Sequence, residues 1–287
     1  MSASTAIRPS ATTREHVSFR DAVVDTMVIT RRNLVRVIRL PQLLIFATIQ
    51  PVMFLILFNY VFGGALTASL PQGAGDVVGG DFIIYLLPGL MVQISVFGAG
   101  QTAMGLTEDL SKGVIDRFRS LPMARSAVLA GRTLADLARN AFVMSLMLVI
   151  AFAIGFRWQT SLLGFLGGFA IILLFTYALS WAMATIGLMV KNPEAAQSAV
   201  FLPTFPFVFA SAVFIPTQTM PGWLQAFANN QPITIIANAM RGLMVGPELL
   251  LPGQTVAGQV TLALLWIAGI TAVFAPLAVR VYRRAVL

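Results

Sequence analysis

The sequence predicts an all-α polytopic membrane protein, and three observations carry that prediction. Of its 287 residues, 57% are hydrophobic and only 10% charged, with a mean hydropathy of +0.84; a soluble domain carries about 25% charged residues. The apolar residues gather into runs near the ~20 residues that a helix needs to cross hydrocarbon. The basic residues fall between those runs and mostly on one side, as membrane topology requires.

Residues 1–17 are rich in Ser, Thr and Ala and read as a disordered tail. The first 20 residues contain no apolar h-region, so no cleavable signal peptide is visible. Residues 18–40 predict a basic amphipathic helix, with Val24, Met27, Leu34 and Ile38 near one face and Arg32, Arg36 and Arg39 on another. Such a helix lies in the headgroup layer, either as a positive anchor or as a docking element for a partner subunit. From 41 to 287 the chain reads as one transmembrane domain.

Six spans are expected. The first runs from Pro41 to Gly63 and is followed by a Gly/Pro-rich loop, 64–80, that holds Asp76. The second covers Phe82 to Leu106, and a charged segment, 107–127, leads into the third, which ends near Gly155. The inner part of that third helix holds Arg132, Asp136 and Arg139 at i, i+4, i+7 spacing, where opposite charges can pair. The fourth span is Leu162 to Val190, followed by the turn Lys191-Asn192-Pro193-Glu194. The fifth, Ser198 to Ile215, contains Pro203 and Pro206 and is expected to kink. Prolines 216, 221, 232, 247 and 252 cut residues 216–255 into pieces too short to cross. They read as one or two re-entrant or interfacial helices on the outer face, with Trp223 at headgroup level. The sixth span, Val260 to Val279, ends in Arg280, Arg283 and Arg284. With both termini inside, 17 of the 19 Lys and Arg are cytoplasmic and only Arg157 and Arg241 lie outside. No internal repeat supports the inverted-repeat design of many secondary transporters.

Missing chemistry narrows the function. There is no Cys, and the single His, His16, lies in the polar tail, so thiol chemistry and His-based zinc motifs are excluded. An ion-coupled carrier needs ionisable groups at membrane depth. The predicted spans hold only neutral polar groups near their centres: Gln50, Asn59, Gln93, Gln101 and Thr176. A P-loop needs Gly-Lys-Ser/Thr, and neither Lys112 nor Lys191 can complete one. Energy for transport must therefore come from elsewhere. Gly73-Ala74-Gly75-Asp76 matches an intramembrane aspartyl protease motif, but it sits in a polar loop without a second buried Asp. The basic excess follows the spans and does not form a nucleic-acid patch.

One segment mixes both charge signs with apolar residues and ends at a helix-stopping proline. Its candidate coupling residues are Glu108, Asp109, Lys112, Arg117, Phe118, Arg119, Leu121, Pro122 and Arg125. A short helix across the inner mouth of the bundle suits docking onto a soluble partner. The pattern Glu108…Lys112-Gly113…Arg117…Ser120-Leu121-Pro122…Arg125…Gly131-Arg132 resembles the cytoplasmic signature of type-2 ATP-binding-cassette (ABC) permeases. The stretch Phe214-Ile215-Pro216…Met220-Pro221-Gly222-Trp223-Leu224…Asn230-Gln231-Pro232…Asn238…Arg241 is similar to the daunorubicin/doxorubicin-resistance-like exporter branch, and Gln50-Pro51-Val52-Met53-Phe54-Leu55 fits it too.

The resemblance covers roughly residues 20–285. It implies an interfacial N-terminal helix, six spans, a coupling helix between spans two and three, and re-entrant outer helices before span six. It adds a second permease copy, a separate cytoplasmic ATPase that binds ATP and Mg, and export across a bacterial inner membrane. The substrate path is expected near Phe54, Phe58, Asn59, Gln93, Phe97 and Phe205, because aromatic and neutral polar groups suit amphipathic molecules better than ions. A drug-like metabolite and a lipid or lipid-linked glycan both remain open as cargo. A membrane enzyme and a scaffold remain as readings from other classes.

Overall fold

The computed structural model describes residues 19–39, 41–67, 70, 81–114, 125–190 and 192–285, and all ten α-helices among them belong to one bundle. Helix α1 (Phe19–Arg39) opens with Asp21 in its first turn, favourable to the helix dipole. Helix α2 (Pro41–Ile56) continues as a π turn over Leu57–Val61 that holds Asn59, and α3 (Gly63–Thr67) follows. Helix α4 (Ile83–Ser111) is 29 residues long, and α5 (Arg125–Ile154) is 30. Helix α6 (Leu162–Met189) is capped by Ser161, whose Oγ accepts from the Gly164 N–H at 3.1 Å. Helices α7 (Pro193–Phe209), α8 (Gly222–Asn230), α9 (Pro232–Met244) and α10 (Val256–Ala285) complete the order.

Among the described residues, five helices are long and apolar enough to cross a membrane: Leu44–Val61, Ile83–Ser111, Ala127–Ile154, Leu162–Met189 and Val256–Arg284. The expected fifth span differs. Its helix, α7, starts and stops before the expected 198–215, and its 17 residues span only about 25 Å, short of a core of about 30 Å. The early start has a local cause: Asn192 Oδ1 accepts from the Glu194 N–H at 2.9 Å and Pro193 sits at the first helical position. The early stop is tertiary. Residues 210–213 leave the helix to pair with α9, through Thr234 Oγ1 accepting from Ala212 N–H at 3.0 Å and through Gln231 donating to the Ala210 carbonyl. Pro203 and Pro206 stay within continuous helix.

Helix α4 forms the axis. In its membrane-length window 89% of residues are buried, against 11% for α2. It packs against α6, α7, α5 and α9, and α10 lies behind α6. Lipid gives no hydrophobic drive between helices, so close approach and interhelical hydrogen bonds must supply it. Both occur here. A Cβ at Gly89 would strike the Val213 carbonyl, and one at Gly187 would strike the Ala103 backbone. Ser95 and Thr176 hydroxyls pair at 2.6 Å, and Thr107 donates to the Gly187 carbonyl at 2.8 Å. Thr176 is thus a packing group.

Two ends are distinguished by charge. At the basic end, Leu106, Leu129, Trp181, Leu188, Ala278 and Tyr282 form a cluster that gathers the ends of α4, α5, α6 and α10. Helix α1 lies along α5 there, with Ile29 over Gly131 and Thr30 donating to the Gly131 carbonyl at 3.2 Å. Its predicted apolar face stays exposed at Val24, Met27 and Ile38. At the opposite end, α9 is buried along nearly its whole length, while Trp223 of α8 is 76% exposed. The expected outer loop 64–80 opens as helix through Thr67, while its residues 71–80 with Asp76, the tail 1–17 with His16, and Lys191 lie outside the described residues.

Candidate functional site

At the basic end a charged clamp joins α4 to α5. Arg132 donates to Asp109 Oδ2 at 3.0 Å through Nη1 and to Asp136 Oδ2 at 3.3 Å through Nε. Thr102 donates to the same Asp136 oxygen at 2.8 Å. Gly105 makes the geometry possible, because the Arg132 guanidinium occupies the space where a side chain would stand. Asp109 is therefore turned into the bundle, whereas Glu108 and Lys112, paired one turn apart, face outward. The first residues of the charged segment expected from 107 belong to α4, which runs on past the expected Leu106 through Ser111. Arg117, Phe118, Arg119, Leu121 and Pro122 lie outside the described residues, as does the side chain of Arg125.

Halfway along α4 and α5, these two helices and α2 enclose a cavity of about 330 Å³. Phe54, Gln93 and Phe97, three of the six residues expected on the substrate path, line it together with Gln50 and Gln101. Sequence reasoning missed Phe46 at the mouth and, above all, Arg139 and Asn140. Spacing along α5 allowed Asp136 to pair with Arg132 or with Arg139. In the structure Arg132 takes that carboxylate, and Arg139 donates to the Gly98 carbonyl at 3.2 Å. Arg132, Asp136 and Arg139 all lie within the membrane-length stretch Ala127–Ile154 and not merely before it. Asn140 Oδ1 fills the place of a side chain at Gly98.

The other three expected residues lie outside the cavity lining. Phe58 stacks on Phe214 with centroids 4.7 Å apart and touches Phe54 at 5.9 Å. Phe205 lies between Phe201, at 5.5 Å, and Phe209, at 4.3 Å. Phe97 meets Phe201 at 6.1 Å and Phe209 meets Phe214 at 5.2 Å. The rings thus form an arc from α4 along α7 to α2. Asn59, in the π turn, lines neither the cavity nor the arc.

At the opposite end, Arg241 of α9 is fully buried, and its hydrogen-bond partners among the described residues are carbonyl oxygens and not carboxylates. It donates to the carbonyls of Tyr85 (3.1 Å), Ala212 (2.6 Å) and Val213 (3.2 Å) and to Asn238 Oδ1 (3.1 Å). Its guanidinium also lies 3.7 Å from the Tyr85 ring centroid. One side chain thereby fastens α9, the 210–213 turn and the start of α4. No group of three or more His, Cys, Asp or Glu able to hold a metal occurs among the described residues.

A multi-pass helical bundle with a charged clamp at one end and a solute-sized chamber between its helices has the build of a transporter's membrane subunit. The chain belongs to the ABC-2 type transporter family, whose pattern matches residues 24–245. It is 35% identical over 245 residues to the daunorubicin resistance ABC transporter permease protein DrrB1 of Streptomyces coeruleorubidus, covering 85% of this chain and 80% of that protein. It is 28% identical over 265 residues to the probable doxorubicin resistance ABC transporter permease protein DrrC of Mycobacterium tuberculosis, covering 92% and 90%. A more distant match, ABC transporter G family member 20 of Dictyostelium discoideum, is 28% identical over 170 residues, covering 57% of this chain and 22% of that protein. The chain is thus a permease subunit of a family that works with a separate ATP-binding subunit, related to proteins named for drug resistance.

Proposed function

We propose that this chain exports an amphipathic, drug-like molecule across a bacterial inner membrane, as a pair of copies each docked on a cytoplasmic ATPase that binds MgATP. The names of its relatives favour that cargo class over a lipid-linked glycan. The observation that carries the reading is the Asp109–Arg132–Asp136 clamp. It ties together the two helices that flank the charged segment 112–124. It also sits two turns, about 10 Å along α5, from the cavity residue Arg139. With both termini cytoplasmic, an ATPase pushing that segment would move α4 and α5 as one body. It would move α1 with them, through Gly131. The bundle would then switch between two packings, a rigid-body transition of a bistable interface. The sparsely covered α2 and the exposed rings of Phe201, Phe205 and Phe209 offer a face to the second copy.

Glu108, Lys112, Arg117 and Arg119 are the docking contacts in this scheme, and Asp109 holds the docking segment from within. Glu108→Ala and Arg117→Ala should each lower ATP-dependent efflux in vesicles containing both subunits while leaving the melting temperature of the permease unchanged. Unchanged efflux in both variants would remove the coupling role.

A further inference from the structure

We infer that the exposed face of α10 seats an anionic phospholipid in the leaflet at the basic end, whatever the chain carries. Arg280, Arg283 and Arg284 hold its phosphate, and one acyl chain lies over Gly269. Three observations carry this.

The first is unmatched charge. Arg280, Arg283 and Arg284 are exposed, and none takes part in an ion pair or hydrogen bond among the described residues. Arg132, Arg139, Arg157 and Arg241, by contrast, each spend donors on the protein. At i, i+3 and i+4 the three arginines share one face at the end of α10. The helix dipole supplies only about half a negative charge there, so three guanidinium groups still call for an anion. Phosphate oxygens match their forked N–H donors.

The second is position. Leu262, Leu265, Gly269, Val273, Leu277 and Arg280 follow one another at steps of three or four along α10, and all are exposed. The arginines therefore crown an apolar stripe that runs through the membrane-length stretch Val256–Arg284. This stripe is open to lipid, because α10 packs on α6 and α9, whereas the faces offered to a second copy belong to α2 and α7. An acidic protein surface would match the charge and leave the stripe unused. A lipid uses both.

The third is shape. A Cβ at Gly269 would meet nothing within 4 Å, so the stripe is notched between Leu265 and Val273. Eleven positions separate Gly269 from Arg280, about 16 Å of helix or half of a core of about 30 Å. An acyl chain hanging from a phosphate at Arg280 thus ends at the notch. Tails gain no hydrophobic energy by leaving other tails, so the arginines supply affinity and the notch supplies fit. A lipid seated there pins the end of α10 beside Ala278 and Tyr282, in the cluster that gathers the ends of α4, α5 and α6.

The test uses the full permease, which has no native Cys, in phosphatidylcholine nanodiscs. Val273→Cys carries a bimane fluorophore, and Leu174→Cys on the exposed side of α6 carries the control. Phosphatidylglycerol or phosphatidylcholine with a nitroxide near the end of one acyl chain is titrated in as quencher. At Val273, half-quenching should need at least about tenfold less of the labelled phosphatidylglycerol; at Leu174 the two lipids should match. Arg280→Gln and Arg284→Gln should each raise the amount required about fivefold, the scale of one basic residue at an anionic membrane surface. Arg280→Lys should keep most of the preference, and Gly269→Leu should lose part of it. Salt near 1 M should shrink the preference in the protein with all three arginines, which provides the reading should an arginine variant fail to fold. Equal quenching by the two lipids at Val273, or an undiminished preference with Arg280 and Arg284 both replaced, overturns the inference. So does loss of the preference when the ATPase subunit is added, which would make the arginines a protein-docking patch.

Discussion

Two arginines show how one side chain can decide a local structure. Arg241 is buried and spends its donors on three backbone carbonyls and Asn238. Its planar fork reaches acceptors on three chain segments at once, which a lysine cannot do. Arg241→Met would strand those acceptors at about 1–3 kcal/mol each. The variant should lose several kcal/mol of stability, read as a lowered melting temperature in detergent, and Arg241→Lys should recover only part. Arg132 plays the matching part at the basic end, where it holds two carboxylates. The spacing showed that Arg132 could pair with Asp136, but its hold on Asp109 and the role of Arg241 were hidden in the sequence. Helical spacing shows which residues share a face of their own helix. It does not show that Arg241 reaches Tyr85, or that Arg139 prefers the Gly98 carbonyl 41 residues away.

Among the elements, helix contacts are set by where a side chain is missing. Gly89 and Gly187 sit where a neighbouring backbone passes too close for any Cβ. Backbone cannot swing aside as a flexible side chain can, so overpacking of about 1–3 kcal/mol follows. Gly89→Ala and Gly187→Ala should therefore lower the melting temperature. Gly269→Ala, with open space around it in α10, should leave it unchanged or raise it slightly, since alanine favours helix. A thermal scan of the three variants checks this, and equal effects would show that the close approaches carry no energy. The same packing explains why α7 ends before its expected boundary. Apolarity continues to Ile215, yet Thr234 and Gln231 at the start of α9 compete for the backbone at 210–213.

For the whole molecule the question is where the energy comes from. Arg132, Asp136 and Arg139 do reach into the bundle, but Asp136 is held by Arg132 and Thr102 and so is poorly placed to relay a coupling ion. Vesicles containing the permease alone should show no efflux driven by a pH or sodium gradient. Adding the ATPase subunit and MgATP should start it. Gradient-driven transport by the single chain would overturn the assignment of an external energy source.

By itself the sequence determined the class: helices, membrane, basic end, short pieces before the last span, and the family pattern. These follow from local properties, because the hydrophobicity of a run and the side on which charge falls need no knowledge of neighbours. It also marked Gln50, Gln93 and Gln101 as polar groups set among apolar residues, and Phe54 and Phe97 as candidates for contact with cargo. Only the tertiary structure decided that these five share one chamber with Arg139 and Asn140, while Phe58 and Phe205 belong to a ring arc beside it. The physical reason is rotation: a helix immersed in lipid can turn any apolar face inward, and its actual facing is fixed by glycine contacts and interhelical hydrogen bonds with partners far away in the chain.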